Sequence, residues 1–170
     1  METLEYEISI KASVQKIWDL LWNQETYPQW TQFFMEGSQF KTYWEVNGKT
    51  YFLDAHGNGM VSTILSLEKP REVIFSHLGM FKDGVEDTKS KEVIEWSGAQ
   101  EKYFLREIDE NTTELRAIVH TSKDMEELMN KGFMQGFKVL NIPKWLKTTS
   151  RGFSRLKIVE TIPFPWASKK

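Results

Sequence analysis

Between residues 38 and 121 the apolar residues come in short runs that alternate with polar ones at period two and stop at turn signals, the pattern of successive antiparallel hairpins. Strands are predicted over about 39–46, 49–55, 59–68, 72–79, 101–109 and 113–121. Asn47-Gly48 is a tight-turn pair, Gly57-Asn58-Gly59 a looser one, Lys69-Pro70-Arg71 a breaker and Asp109 to Thr112 a polar hairpin tip. The stretch 80–100 is less regular. Its polar part, 82–91, is predicted to be a mobile loop, and Val93-Ile94-Glu95-Trp96 suits one more short strand.

Helical patterns flank this meander. A first strand over 4–10 puts Leu4, Tyr6, Ile8 and Ile10 on one face, and Ser13 is placed to cap a helix whose apolar face is Val14, Ile17, Trp18 and Leu21. Pro28 suits the start of a second short helix, with Trp30, Phe33 and Phe34 on its buried side. After the meander, Asp124 and Glu127 have the spacing of a capping box, and Met125, Leu128, Met129, Phe133, Phe137 and Leu140 repeat at helical spacing. Pro143 should stop or kink this long helix near Asn141, with helix resuming over 145–149 and a tail over 150–170. The fold class is therefore α+β: a curved antiparallel sheet of about six to seven strands, two short helices after the first strand and one long C-terminal helix.

Bulk properties narrow the function classes. A chain of 170 residues can bury roughly 70% of its unfolded surface around a single core. With 22 basic and 24 acidic residues the net charge is −2, so there is no long-range attraction for nucleic acid or an anionic membrane. The aromatic residues do not interleave with a basic patch as a base-stacking platform would. There is no cysteine, which removes disulfides, thiolate chemistry and cysteine-based metal sites. No apolar run is long enough to insert stably in a bilayer, and the start of the chain lacks a leader pattern, so a cytoplasmic protein is expected.

Candidate chemistry is sparse. His56, His77 and His120 have none of the spacings of a metal site, and neither metal nor cofactor is expected. Strand parity puts His77 in step with Val73 and Phe75, able to offer one polar group to an apolar interior, although a hydrogen-bonded or solvent-facing histidine is the commoner outcome. No Gly-x-Ser-x-Gly or phosphate loop occurs; catalysis, if any, would be a cyclisation or dehydration using Glu107, Arg106 or His77. Gly132 and Gly136 share one helix face, where they either let the helix cross close over a strand or leave volume for a ligand between adaptable methionines. Lys144, Lys147, Arg151 and Arg155 form a basic segment after Pro143, either a solvated face or a partner surface beside Trp145 and Leu146.

The element order, with Ile8-Ser9-Ile10-Lys11-Ala12-Ser13-Val14-Gln15-Lys16-Ile17-Trp18 near the start, Tyr27-Pro28-Gln29-Trp30 after it, and Gly132-Phe133 and Gly136-Phe137 in the last helix, resembles the START-like or SRPBCC superfamily of helix-grip proteins. Within it the likeness is to the group related to the activator of the large heat-shock chaperone's ATPase (AHSA-type). It covers about residues 3–149 and implies a domain over 1–149 with a deep cavity between the sheet's concave face and the long helix. The corresponding expectation is that Trp30, Phe75, His77, Tyr103, Met129, Phe133 and Phe137 line a site for an apolar small molecule. A chaperone or other protein bound through the basic C-terminal segment is the alternative, and a cyclase-like enzyme a further one.

The tail from about Gly152 carries Phe153, Leu156, Ile158, Val159, Ile162, Phe164 and Trp166, too apolar a set for a free linker, so it is expected to pack on its own domain. Limited proteolysis should remove it only slowly, with a fall in thermal stability; rapid removal at unchanged stability would show that it does not pack.

Overall fold

The computed structural model describes residues 1–141 and the backbone of 156–159. The basic segment, the expected helix over 145–149 and most of the tail lie outside the described residues. The elements are β1 (Glu2–Ile10), α1 (Val14–Trp22), α2 (Tyr27–Thr31), β2 (Gln39–Thr42), β3 (Lys49–Leu53), β4 (Gly59–Glu68), β5 (Glu72–Lys82), β6 (Val85–Asp87), α3 (Lys91–Ile94), β7 (Gln100–Asp109), β8 (Thr112–Thr121), α4 (Glu126–Leu140) and β9 (Leu156–Val159). All pairings are antiparallel, in the order β2-β3-β4-β5-β7-β8-β1-β9, with β6 folded back on β5. The helix-flanked sheet expected from the sequence is present, with the extra short strand β6 and with β9 set against β1.

Several local expectations are corrected. The polar stretch 82–91 contains a hairpin, because Asp83 (φ 50°) and Gly84 (φ 79°) together make the left-handed turn that joins β5 to β6. The supposed strand at 93–96 begins instead as α3, started by Ser90, whose hydroxyl accepts from the Val93 N–H. Asp124 and Glu127 do not form a capping box; a short 3-10 turn over Lys123–Met125 leads into α4 without a side-chain cap. β2 ends at Thr42, and Trp44 leaves the sheet to pack on Trp18, Trp22 and Phe40. Ser13 does cap α1, accepting from the Lys16 N–H at 3.3 Å.

What positions α4 is the close approach of α2. Gly136 lies against the Trp30 main chain, so that a Cβ there would overlap the Trp30 carbonyl oxygen and stand 3.1 Å from the indole ring; at Gly132 a Cβ would run into the Phe34 ring. Gly136 therefore admits α2 and Gly132 the ring of Phe34 in the turn after it, and neither a strand crossing nor a vacant volume lies opposite them. On the adjacent face Phe133 stacks on Tyr6 at 4.4 Å, and the Tyr6 hydroxyl donates to Asn130 Oδ1 at 2.8 Å, fastening α4 to β1. The Trp30 Nε1–H donates to the Leu21 carbonyl, which locks α2 to α1.

These contacts set the outcome of adding a methyl group. Alanine normally gains about 1 kcal/mol over glycine in a helix, but overpacking costs roughly 1–3 kcal/mol. Gly136→Ala should lower unfolding stability because it meets backbone, whereas Gly132→Ala should lower it less, since the half-buried Phe34 ring can swing aside. Denaturant melts of both variants check this; a Gly136→Ala protein as stable as the parent would contradict the close approach.

Candidate functional site

The sheet's inner face and helices α1, α2 and α4 enclose a group of aromatic rings in mutual contact. Trp30, Tyr103, Phe133 and Phe137 meet with centroids 5.5 to 6.4 Å apart, and Trp22 joins them at 5.0 Å from Tyr103 and 5.5 Å from Phe75. Phe52 links Phe75 to His77 across the strands, and Met129 packs at the margin, partly buried. The structure thus brings the seven residues singled out in the sequence to one interior.

Among the described residues that interior is occupied by packed rings, where the resemblance implies a deep cavity. A hollow of about 10 Å³ lies elsewhere, between Leu20, Thr26, Gln29, Val139 and Leu140. This is at the lower limit for a single water. Rings supplied by α1, α2 and the inner strands take up the space that a curved sheet would otherwise leave beneath a straight helix.

At one end of this interior runs a chain of polar side chains. Ser62 on β4 and His77 on β5 are both buried, with Oγ and Nδ1 2.8 Å apart. His77 Nε2 faces Glu101 Oε2 at 3.6 Å, and the other carboxyl oxygen of Glu101 accepts from the Tyr103 hydroxyl. Two local features place these groups. A register shift pairs Val61 with Gly79 and Ser62 with His77, so that Leu78 is an extra residue on β5 and both Ser62 and His77 are buried. Beyond the last β5–β7 pair, His77 N–H donates to the Ala99 carbonyl and its own carbonyl accepts from Gly98, each at 2.8 Å.

Burial governs the protonation states. It pushes the His77 imidazole down to about 4, with a smaller contribution from His120, so His77 is neutral near pH 7. The tautomer that suits its neighbours has the proton on Nε2 toward Glu101 and Ser62 donating to Nδ1. Burial also raises the Glu101 carboxyl, against the stabilising hydroxyl of Tyr103. The Tyr103 and Tyr27 phenols rise well above their usual value, first through burial and then through the Glu101 charge.

Glu101 was not among the residues singled out, although its parity with Tyr103 on β7 signals a carboxyl on the inward face. Ser62 had no such signal, because the irregular register depends on pairing across strands. Arg106 and Glu107, considered above for proton transfer, are exposed and belong elsewhere: Arg106 pairs with Glu114 at 2.8 Å and Glu107 with Arg71 at 3.7 Å. Ser62 and His77 superficially suggest a nucleophile and base, but Ser62 is wholly buried and has no access to a substrate in this conformation. Among the described residues no three His, Asp or Glu side chains are grouped to hold a metal, and no helix is long and apolar enough to cross a membrane.

The same architecture recurs in solved structures. An HSP90 activator from Plasmodium falciparum superposes with a TM-score of 0.58 at 13% identity, covering 86% of this chain and 97% of that one. Aha1 from Colwellia psychrerythraea, solved as a dimer, gives 0.58 at 17% identity over 84% and 96%. CalU16 from Micromonospora echinospora gives 0.57 at 15% identity over 89% and 69%. The chain has the helix-grip fold. No family model and no curated protein matches its sequence. At these identities the helix-grip likeness concerns the fold alone.

The neutral, buried His77 gives the helix-grip domain a definite acid response. In the unfolded chain the imidazole takes up its proton near 6.5, in the folded one only near 4. Folding stability associated with His77 is therefore complete above pH 6.5 and declines as pH falls toward 4, by about 3 kcal/mol in all. Glu101 acts in the opposite sense, its contribution declining as pH rises above 4.5. Denaturant unfolding of the parent and of His77→Asn at pH 4 to 7 should show the acid limb in the parent and a flatter one in the variant; parallel curves would mean that the His77–Glu101 ion pair outweighs burial.

Proposed function

We propose that the protein binds a small apolar molecule in the helix-grip interior, between the inner sheet face and α4, with His77, Glu101 and Tyr103 at the polar end of the site. The observation that carries this is the ionisable chain inside an otherwise apolar, aromatic interior. An apolar set of equal volume would stabilise the fold as well or better, and perturbed titratable groups beside a ring-lined space are characteristic of binding sites. Trp30, Phe75, Tyr103, Phe133 and Phe137 supply the apolar walls and Met129 an adjustable margin. Because those rings fill the interior, binding requires some of them to move, and the partly buried Phe34, Trp44 and Met129 are the ones with room.

The filled interior also favours a second reading, action through the outer surface as a protein-interaction module. The HSP90 activators of the same fold suggest the partner, and the basic segment Lys144, Lys147, Arg151 and Arg155 a contact. Calorimetric titration with 1-methylnaphthalene separates the two. Binding by the parent, weakened about fivefold or more in Met129→Trp at unchanged melting temperature, supports the interior site. No binding, together with stimulation of HSP90 ATPase that is lost on deleting 144–170, supports the second. Phe133→Trp is a poorer probe, since that ring is already stacked against Tyr6 and would be overpacked.

A further inference from the structure

Among the described residues Glu101 has no lysine or arginine partner. Its ion-pairing partner among the described residues is His77, at 3.6 Å and neutral near pH 7, and its only hydrogen bond there is the one donated by Tyr103. The lysines and arginines with ion pairs serve other carboxylates: Lys49 serves Glu86, Arg106 serves Glu114, Arg71 serves Glu107 and Arg116 serves Glu5. A carboxyl held in the protein interior without a cation is an energetic deficit that a charged guest can relieve.

The surroundings suit such a guest. Tyr103 and Tyr27, whose phenols feel the Glu101 charge, belong to one group of rings with Trp22, at 5.0 and 6.2 Å from its centroid. Faces of electron-rich rings attract ammonium groups, most strongly where water is excluded. Trp22 adds an independent sign of unmet polar contact: its Nε1–H is buried and has no hydrogen-bond partner among the described residues. The Glu101 side chain is 21% exposed, so the carboxyl stands at the solvent margin of the ring group while His77, at 8%, lies behind it. A guest entering past Glu101 would meet the carboxylate first and the rings next.

We propose that the interior site takes an organic cation, an apolar or aryl group bearing an ammonium, whose charge pairs with Glu101 among Tyr27, Tyr103 and Trp22. This deepens the reading of an apolar binding site and rests on it. The ammonium replaces the missing counter-ion, and the apolar body displaces the partly buried rings. The unpaired Trp22 N–H is then free for an oxygen of the guest.

Three probes of one skeleton test this by calorimetry at pH 7.5: 1-methylnaphthalene, 1-naphthylmethylamine and its trimethylammonium analogue. Both cations should bind about tenfold more tightly than the hydrocarbon. In Glu101→Gln that preference should vanish, both cations falling to the affinity that the same variant has for the hydrocarbon; Glu101→Asp, which keeps the charge on a shorter arm, should retain part of it. Equal affinity of all three probes in the parent, or an undiminished preference in Glu101→Gln, overturns the cation assignment and leaves the apolar site standing. Failure of every probe to bind overturns both. If Glu101→Gln does not fold, the parent's ranking of the three probes together with Glu101→Asp decides the question.

Discussion

The contact on which the rest of the structure depends is that of Trp30 with Gly136. Trp30 is fixed at its Nε1–H by the Leu21 carbonyl and by its ring against Tyr27, Tyr103 and Phe137, so it ties α1, α2, β7 and α4 together. The approach is possible only because α4 presents no side chain at Gly136. A larger residue would hold α4 off from α2. Phe133 would then be drawn away from Tyr6, and the Tyr6–Asn130 hydrogen bond, which spans 124 positions in sequence, would lengthen. One missing methyl group thus fixes how deeply the long helix sits over the sheet.

That depth decides what kind of helix-grip interior this is. The fold is shared by proteins described as chaperone activators and by others from quite different settings, so architecture alone does not select a role. Selection comes from how the space between sheet and helix is filled. Here rings from α1 and α2 enter it, and each wholly buried large side chain contributes roughly 1.5–3 kcal/mol. A guest has to compete with those contacts, which favours ligands that offer aromatic surface in exchange.

Much of the fold was legible in the sequence because its signals are local. Alternation in 4–10 and 113–121 and the Ser13 cap each depend on a few neighbouring residues. Two of the local errors share one physical cause, competition between two local signals. Asp83-Gly84 is a hairpin turn set in a polar stretch whose polarity masks the turn. Ser90 caps a helix over residues whose β-branching favours a strand. In the site, parity gave the inward direction of Phe75, His77 and Tyr103, and the same parity carries Glu101. Ser62 could not be found this way, since a register shift against β5 is a property of two strands and not of either sequence. That the interior is filled was equally out of reach, because filling depends on the seating of α4 against α2.

The polar chain lies where rigidity and access meet. Trp30, Phe133 and Phe137 are held by hydrogen bonds or ring contacts on several sides and are almost wholly buried, so the helix side of the interior is its stiff wall. Phe34 and Trp44 are only partly buried, and Trp44 is covered on its outer face by the Lys69 ammonium at 4.7 Å, a contact easily exchanged for water. Glu101, partly exposed, stands ahead of the buried His77 and Ser62. Motion that admits a molecule is therefore cheapest at the half-buried Trp44, away from the α4 seating. Opening there leaves the Trp30–Gly136 contact and the Tyr6–Asn130 hydrogen bond intact, so a guest could be taken up without loosening the packing on which the fold depends.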